Sequence, residues 1–333
     1  MTTLVPLVET TRGGTLECQH FGCVAVADAA GRLLAQAGDP HWLTFTRSTL
    51  KALQALPFVE GGGPRRFGFG SGEVAMLCAS HNGEPVHVER VDRMLQAIGQ
   101  PVQALQCGCH VPMLVEHGGQ PPAAWDQRHH NCSGKHAGFL AWCVQQGAPV
   151  DSYLELGHPL QQAIRRSVAR AAGLAEDRLA VGIDGCSAPN YAMPLVNLAQ
   201  AYARLASGTR DPEFGESFAT LSQAMTAHPD LVSGTGRNDL AFMQVGAGDW
   251  VTKVGADGVQ VVGSASRGQA FAVKVIDGSR PALFAATVEV LDQLGWLDDR
   301  QREALRPWRA EQILSVRGAP VGERRAVFRL QRA

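Results

Sequence analysis

The chain has 333 residues, 45% of them hydrophobic, with 30 Lys plus Arg against 31 Asp plus Glu and a formal net charge of -1. That composition excludes intrinsic disorder, and 37 Gly with 18 Pro are far too few for a collagen-like or low-complexity chain. The near-neutral balance argues against a dedicated nucleic-acid binder, which needs a basic surface, and gives no reason to expect a membrane partner.

Residues 1–10 place no basic residue ahead of an apolar run, and no stretch reaches the ~18 uninterrupted apolar residues of a membrane span, so a cytoplasmic protein is expected. Residues 4–10, 22–27 and 32–37 read as strands, the last two joined by a tight turn at Ala29-Ala30-Gly31. Residues 48–56 read as a helix with Leu50, Leu53 and Leu56 on its apolar side and Pro57 at its end. The glycine-rich stretches 61–64 and 68–72 lack the lysine of a phosphate loop and are expected to be flexible connectors. Helices follow from Pro85 through Val91, Met94, Leu95 and Ile98, then over 138–146, from Pro159 to near Gly173, and over 197–206, 212–227 and 281–294. Between the last two lie strand patterns at 250–255, 259–263 and 270–276. Strands at both ends with helices between predict an α+β fold of one domain, 1–333. Its antiparallel sheet comes from residues 1–45 plus 240–333 and is flanked by helices, with a mainly helical subdomain, 46–239, inserted between.

Eight cysteines in so long a chain are too sparse for a disulfide scaffold, which leaves buried thiols or metal ligation. The strongest chemical signal is Ser48-x-x-Lys51 at a helix start. Three residues are almost one helical turn, so hydroxyl and amine share a face, and a neutral amine there can activate the serine. Unpaired N–H groups at the helix start favour the oxyanion that forms on attack at a carbonyl. The plain alternative is a helix cap and a solvated lysine. Downstream stand Ser80-His81-Asn82 and Lys253-Val254-Gly255, so the order Ser-x-x-Lys, Ser-x-Asn, Lys-x-Gly resembles that of penicillin-binding proteins and class A β-lactamases. Only 32 residues separate Ser48 from Ser80, and His81 replaces the acidic residue of that pattern, which speaks against β-lactam chemistry.

Together with residues 78–84, 130–136 and 184–190, these motifs resemble the Rhizobium etli-type L-asparaginases, the class 3 or asparaginase II family, over nearly the whole chain. The resemblance implies hydrolysis of L-asparagine to L-aspartate and ammonia on a serine β-lactamase-like fold, usually as a homodimer. It places two Ser-Lys tandems on Ser48 with Lys51 and on Ser80 with Lys253. Ser48 is then expected to be the nucleophile and Lys51 its base, while Ser80 and Lys253 relay the proton. The residues alone would offer zinc two thiolates and His136. The resemblance assigns the Zn2+ ligands to Cys132, Lys135 and Cys186 instead, with His136 beside them. An amino-acid substrate also brings a carboxylate, which Arg47 could fork, and an ammonium, which Asp184 could accept; Asn82 is the third substrate-contact candidate. A glutaminase or other serine amidohydrolase, or a non-catalytic metal or amino-acid binder on the same fold, are the alternatives.

Overall fold

A computed structural model describes residues 3–309 and 311–333; Met1, Thr2 and Ala310 lie outside the described residues. Each of the six expected strand segments forms a strand, and each of the expected helices forms a helix. In chain order the strands are β1 (Val5–Arg12), β2 (Thr15–Asp28), β3 (Leu33–Ala37), β4 (Leu43–Phe45), β5 (Ala180–Ile183), β6 (Pro189–Pro194), β7 (Trp250–Gly255), β8 (Val259–Ser264), β9 (Gln269–Val275), β10 (Gln312–Leu314), β11 (Pro320–Ala326) and β12 (Gln331–Arg332). The main sheet runs β10-β11-β1-β2-β9-β8-β7 and every pairing in it is antiparallel. β2 is long enough to pair along one edge with β1 and then β3, and along the other with β9.

The period-2 pattern makes this sheet a central layer. Cys23, Ala25 and Ala27 of β2, with Ala270 and Ala272 of β9, face the core under the helical segment. Val24, Val26, Phe271, Val273 and Val275 face the opposite core, beneath helix Arg280–Gln293. The first face is built of small residues because helix Leu195–Ser207 lies directly on it. A Cβ on Gly263 would stand 2.6 Å from the Tyr202 carbonyl oxygen, so only glycine admits this approach.

Several segments differ from expectation. The helix that begins at Lys51 continues through Pro57 to Glu60, because Pro57 is buried in the core and its carbonyl accepts the Gly61 N–H at 3.2 Å to close the last turn. The two glycine-rich stretches are not loose connectors. Helix Gly63–Phe67 is bracketed by Gly62 and Gly68 in the left-handed region, and helix Ser71–Leu77 starts where Glu73 accepts the Gly70 N–H at 3.0 Å. The middle segment also carries the small sheet β4-β6-β5, and the C-terminal segment adds helix Asp299–Arg309 and strands β10 to β12. All eight cysteines are free thiols and six are buried. No helix among the described residues is long and apolar enough to cross a membrane.

Gly263→Ala should destabilise the protein by roughly 1–3 kcal/mol through overpacking. Urea unfolding should show a lower midpoint at unchanged slope; an unchanged midpoint would refute the close helix-on-sheet contact.

Candidate active site

The site forms where the helical segment meets the strand β7. Lys51 opens helix Lys51–Glu60 and is 1% exposed. A buried amine needs an acceptor for each N–H, and Lys51 Nζ finds three: Ala79 O at 2.5 Å, Ser80 Oγ at 2.8 Å and Asn131 O at 3.4 Å. Lys253, 0% exposed, shares with Val251 the face of β7 that is turned to the helices. Its Nζ donates to Ser80 Oγ at 3.0 Å, Val254 O at 3.1 Å and Asp239 Oδ2 at 3.4 Å. Ser80 follows helix Ser71–Leu77, and its backbone N–H is anchored on Val232 O at 2.8 Å. One hydroxyl thus bridges two buried amines.

Burial lowers Lys253 to about 8; Asp239 opposes that shift, while the charges of Lys51 and Arg237 add to it. Asp239 is itself fully buried and saturated. Its Oδ2 also accepts the Val254 N–H at 2.9 Å, and its Oδ1 accepts from Thr252 at 3.0 Å, Gln260 at 3.1 Å and Asn238 at 3.3 Å. This carboxylate fixes the strand and the amine together, and motif reading had passed it over.

Ser48 and Ser80 line one cavity of about 110 Å³, bounded also by Asn131, Arg237, Gly255 and Trp308. The Ser48 hydroxyl donates to no protein group among the described residues, and Lys51 reaches Ser80 rather than Ser48. The expected contact within the Ser48–Lys51 tandem is therefore not formed, because Ser48 lies in the 3-10 turn Arg47–Leu50 and the lysine is drawn inward by two carbonyls. The backbone aims Ser48 by another device. Arg47 sits at φ +51°, a conformation that costs a non-glycine residue about 1–3 kcal/mol. The Asn190 side-chain amide holds it there, accepting the Arg47 N–H at 3.0 Å and donating to the Arg47 carbonyl at 3.0 Å.

The substrate-contact candidates are placed differently. The Arg47 guanidinium donates to Asp184 Oδ1 from Nε at 3.0 Å and from Nη2 at 2.9 Å, and pairs with Asp257. Arg47 and Asp184 line a separate cavity of about 570 Å³ with Trp42, Phe45, Ile183 and Lys274. Asn82 is wholly buried, and its amide donates to Glu84 and to Thr235 O, each at 2.9 Å, while its oxygen accepts from Arg237 Nη1 at 3.2 Å. Its side chain acts through Arg237. His81 is held neutral by burial, accepting the Gly83 N–H at Nδ1 and lying 2.9 Å from Ser133 Oγ at Nε2.

A second cluster abuts the first. Cys132 precedes helix Ser133–Gln146, which puts Lys135 and His136 in its first turn. Lys135 Nζ donates to Cys186 Sγ at 3.0 Å. A hydrogen bond from the Cys132 thiol, with the Lys135 charge, holds Cys186 well below the usual thiol range; that bond and burial push Cys132 up. Burial opposes the charge of Lys135, yet the neighbouring thiolate holds it above its ordinary value. The Tyr153 hydroxyl accepts the Gln106 N–H at 2.8 Å and lies 2.7 Å from His136 Nδ1. The other ring nitrogen, Nε2, is buried beside Cys186 without a hydrogen bond of standard geometry. Among the described residues no three His, Cys, Asp or Glu side chains converge as a metal site; the cluster here is two thiols and an amine.

No curated protein matches the sequence. Among solved structures, a β-lactamase from Mycobacterium bovis is similar at 14% identity and TM-score 0.44, over 82% of this chain and 94% of that one. Mglu in its native form is similar at 15% identity and TM-score 0.35, over 83% of this chain and 64% of its own; its tris and glutamate form gives 17%, 0.34, 82% and 59%. The family model of L-asparaginase II matches residues 8–326, nearly the whole length, and the chain belongs to that family.

Proposed function

We propose that the protein is an L-asparaginase of the Rhizobium etli type, hydrolysing the side-chain amide of L-asparagine to L-aspartate and ammonia. The observation that carries this reading is the hydrogen-bonded chain Lys51–Ser80–Lys253 beside the unencumbered hydroxyl of Ser48, in one cavity. On substrate binding the turn Arg47–Leu50 brings the Ser48 hydroxyl to Lys51, a contact the resting structure does not make; Ser48 then attacks the amide carbon as its proton moves to Lys51, one from Lys51 to Ser80 Oγ, and one from Ser80 to Lys253 Nζ. The net result is one proton placed on an amine that burial has brought near neutrality. On collapse of the adduct the carbon–nitrogen bond breaks and Ser80, resupplied by Lys253, protonates the departing nitrogen. Water then attacks the acyl-Ser48 ester along the same relay and releases aspartate. In the turn Arg47–Leu50 the N–H groups of Arg47 and Thr49 are taken by Asn190 and Thr46, which leaves the Ser48 N–H to meet the negative charge that develops.

Cys132, Lys135 and Cys186 have the donor chemistry of a zinc site, with two sulfurs and a nitrogen brought together in the interior. The orientation of His136 by Tyr153 supports a role beside the metal rather than on it. A bound zinc ion would supply a fixed positive charge that helps bind and orient the substrate. Glutamine differs by one methylene, which a pocket discriminates by only ~1–3 kcal/mol, so a glutaminase is the runner-up.

Three measurements test the reading. Ammonia release should be found with L-asparagine, be weaker with L-glutamine, have no counterpart in ring opening of a chromogenic β-lactam, and fall by about 10³-fold or more in Ser48→Ala. Glutamine preferred to asparagine, or activity kept in Ser48→Ala, contradicts the assignment. Because the active form has Lys253 neutral, kcat/KM should rise with pH to a plateau above about 8. Asp239→Asn removes a charge that favours the ammonium, so the rise should move to lower pH; a shift upward would refute the role of Lys253. Protein purified without added metal should carry zinc, and Cys186→Ala should carry much less; equal content in both rejects the ligand set.

A further inference from the structure

A buried cation, Arg237, lines the cavity shared by Ser48 and Ser80. Arg237 is 8% exposed and stands just ahead of helix Asn238–Gly246. Its Nη1 is engaged, donating to Asn82 Oδ1 at 3.2 Å and Met113 Sδ at 3.5 Å. Its Nε and Nη2 donate to no protein group among the described residues, and neither is among the polar atoms sealed from solvent without a partner.

No described carboxylate lies within ion-pair distance of Arg237. The acids whose charge reaches it are Asp239 and Glu116. Asp239 is saturated by Lys253, Val254, Thr252, Gln260 and Asn238, and Glu116 is paired at 3.0 Å with Arg280 on an exposed face. Arg237 therefore lines the cavity without an ion-pair partner among the described residues, beside Arg280, which Glu116 pairs, while the amines of Lys51 and Lys253 stand behind Ser80 with the saturated Asp239 as their carboxylate. A buried cation without a counter-ion is costly, and it persists where an anion completes it. The free Nε and Nη2 edge is the fork that a carboxylate takes with two parallel hydrogen bonds. The mount of this fork is also specific. Asn82 holds Nη1 from a fully buried position, and it fits only because residue 234 is glycine: at φ +116° a Cβ there would stand 2.6 Å from Asn82 Nδ2.

We propose that Arg237, held by Asn82, is the receptor for the α-carboxylate of the amino-acid substrate, which places the side-chain amide over Ser48 and Ser80. The inference rests on the reading of the substrate as an amino-acid amide. It gives Arg237 the task that sequence reading had offered to Arg47, whose own fork is taken by Asp184 and Asp257 at another cavity.

The test compares L-asparagine with 3-aminopropanamide, which keeps the amide and the amine and lacks the carboxylate. Arg237→Met should raise KM for L-asparagine on the order of 100-fold with a much smaller change in kcat, and Arg237→Lys, which keeps charge without the fork, on the order of 10-fold. Measured on the pH plateau, where loss of the Arg237 charge no longer changes the neutral fraction of Lys253, turnover of 3-aminopropanamide should change by less than about threefold in both variants, since that substrate never uses the fork. A KM for L-asparagine within threefold of wild type in Arg237→Met, or an equal loss on both amides, overturns the proposal. A calorimetric arm separates this from failure of the functional reading. The inert Ser48→Ala protein should bind L-asparagine and L-aspartate, and Ser48→Ala/Arg237→Lys should bind both at least 10-fold more weakly. If wild type hydrolyses neither amide but this binding difference holds, the receptor stands and the hydrolase reading falls; no binding by the folded Ser48→Ala protein overturns the receptor.

Discussion

A serine hydroxyl suspended between two buried amines dictates the arrangement around it. Ser80 Oγ lies 2.8 Å from Lys51 Nζ and 3.0 Å from Lys253 Nζ, and no water replaces a lost protein partner cheaply at that depth. Each remaining N–H therefore needs an acceptor supplied by the fold. For Lys51 these are the carbonyls of Ala79 and Asn131, which tie the loop after helix Ser71–Leu77 to the segment leading into the thiol cluster. For Lys253 they are its neighbour's carbonyl and the Asp239 carboxylate, which pins helix Asn238–Gly246 to β7. The polar network and the packing of helix on sheet thus specify the same geometry.

Electrostatics sets the direction of the chemistry. Burial disfavours the charge of Lys253, and the Lys51 charge across the shared oxygen adds to the effect. Asp239 moderates it, which keeps the amine near neutral pH instead of abolishing its basicity. The thiol cluster shows the opposite arrangement. There Lys135 sits against a thiolate that holds it above its ordinary value, the opposite direction to Lys253. The chain contains four lysines, Lys51, Lys135, Lys253 and Lys274, among 30 Lys plus Arg; surface cation roles have gone to arginine. Three of the four are buried within these two clusters.

That scarcity is a signal legible in the sequence, and it would have pointed to the lysines without any motif. The sheet was legible because period-2 runs at both ends bounded it, and the long helices because their apolar residues recur at three and four. The short helices Gly63–Phe67 and Ser71–Leu77 were not, since glycines that permit left-handed caps look the same as glycines of a loose linker. Of the four catalytic candidates, Lys51, Ser80 and Lys253 meet and Ser48 shares a cavity with Ser80; the partner of Lys51 is Ser80 because buried carbonyls compete for the amine, which spacing along a helix cannot reveal. Asp239 and Arg237 escaped notice because neither belongs to a short motif, and Asn190, inside the 184–190 motif, was given no role because its contact is with Arg47, 143 residues away in sequence.

With so few lysines, NMR titration of the chain carrying 13C at the lysine ε-carbons resolves the central claim directly. In the resting protein one lysine should titrate near 8, and that resonance should be the one missing from Lys253→Arg. A spectrum in which no lysine titrates below the ordinary range near ~10.4 would contradict the account, because neither amine could then take the proton from the serine.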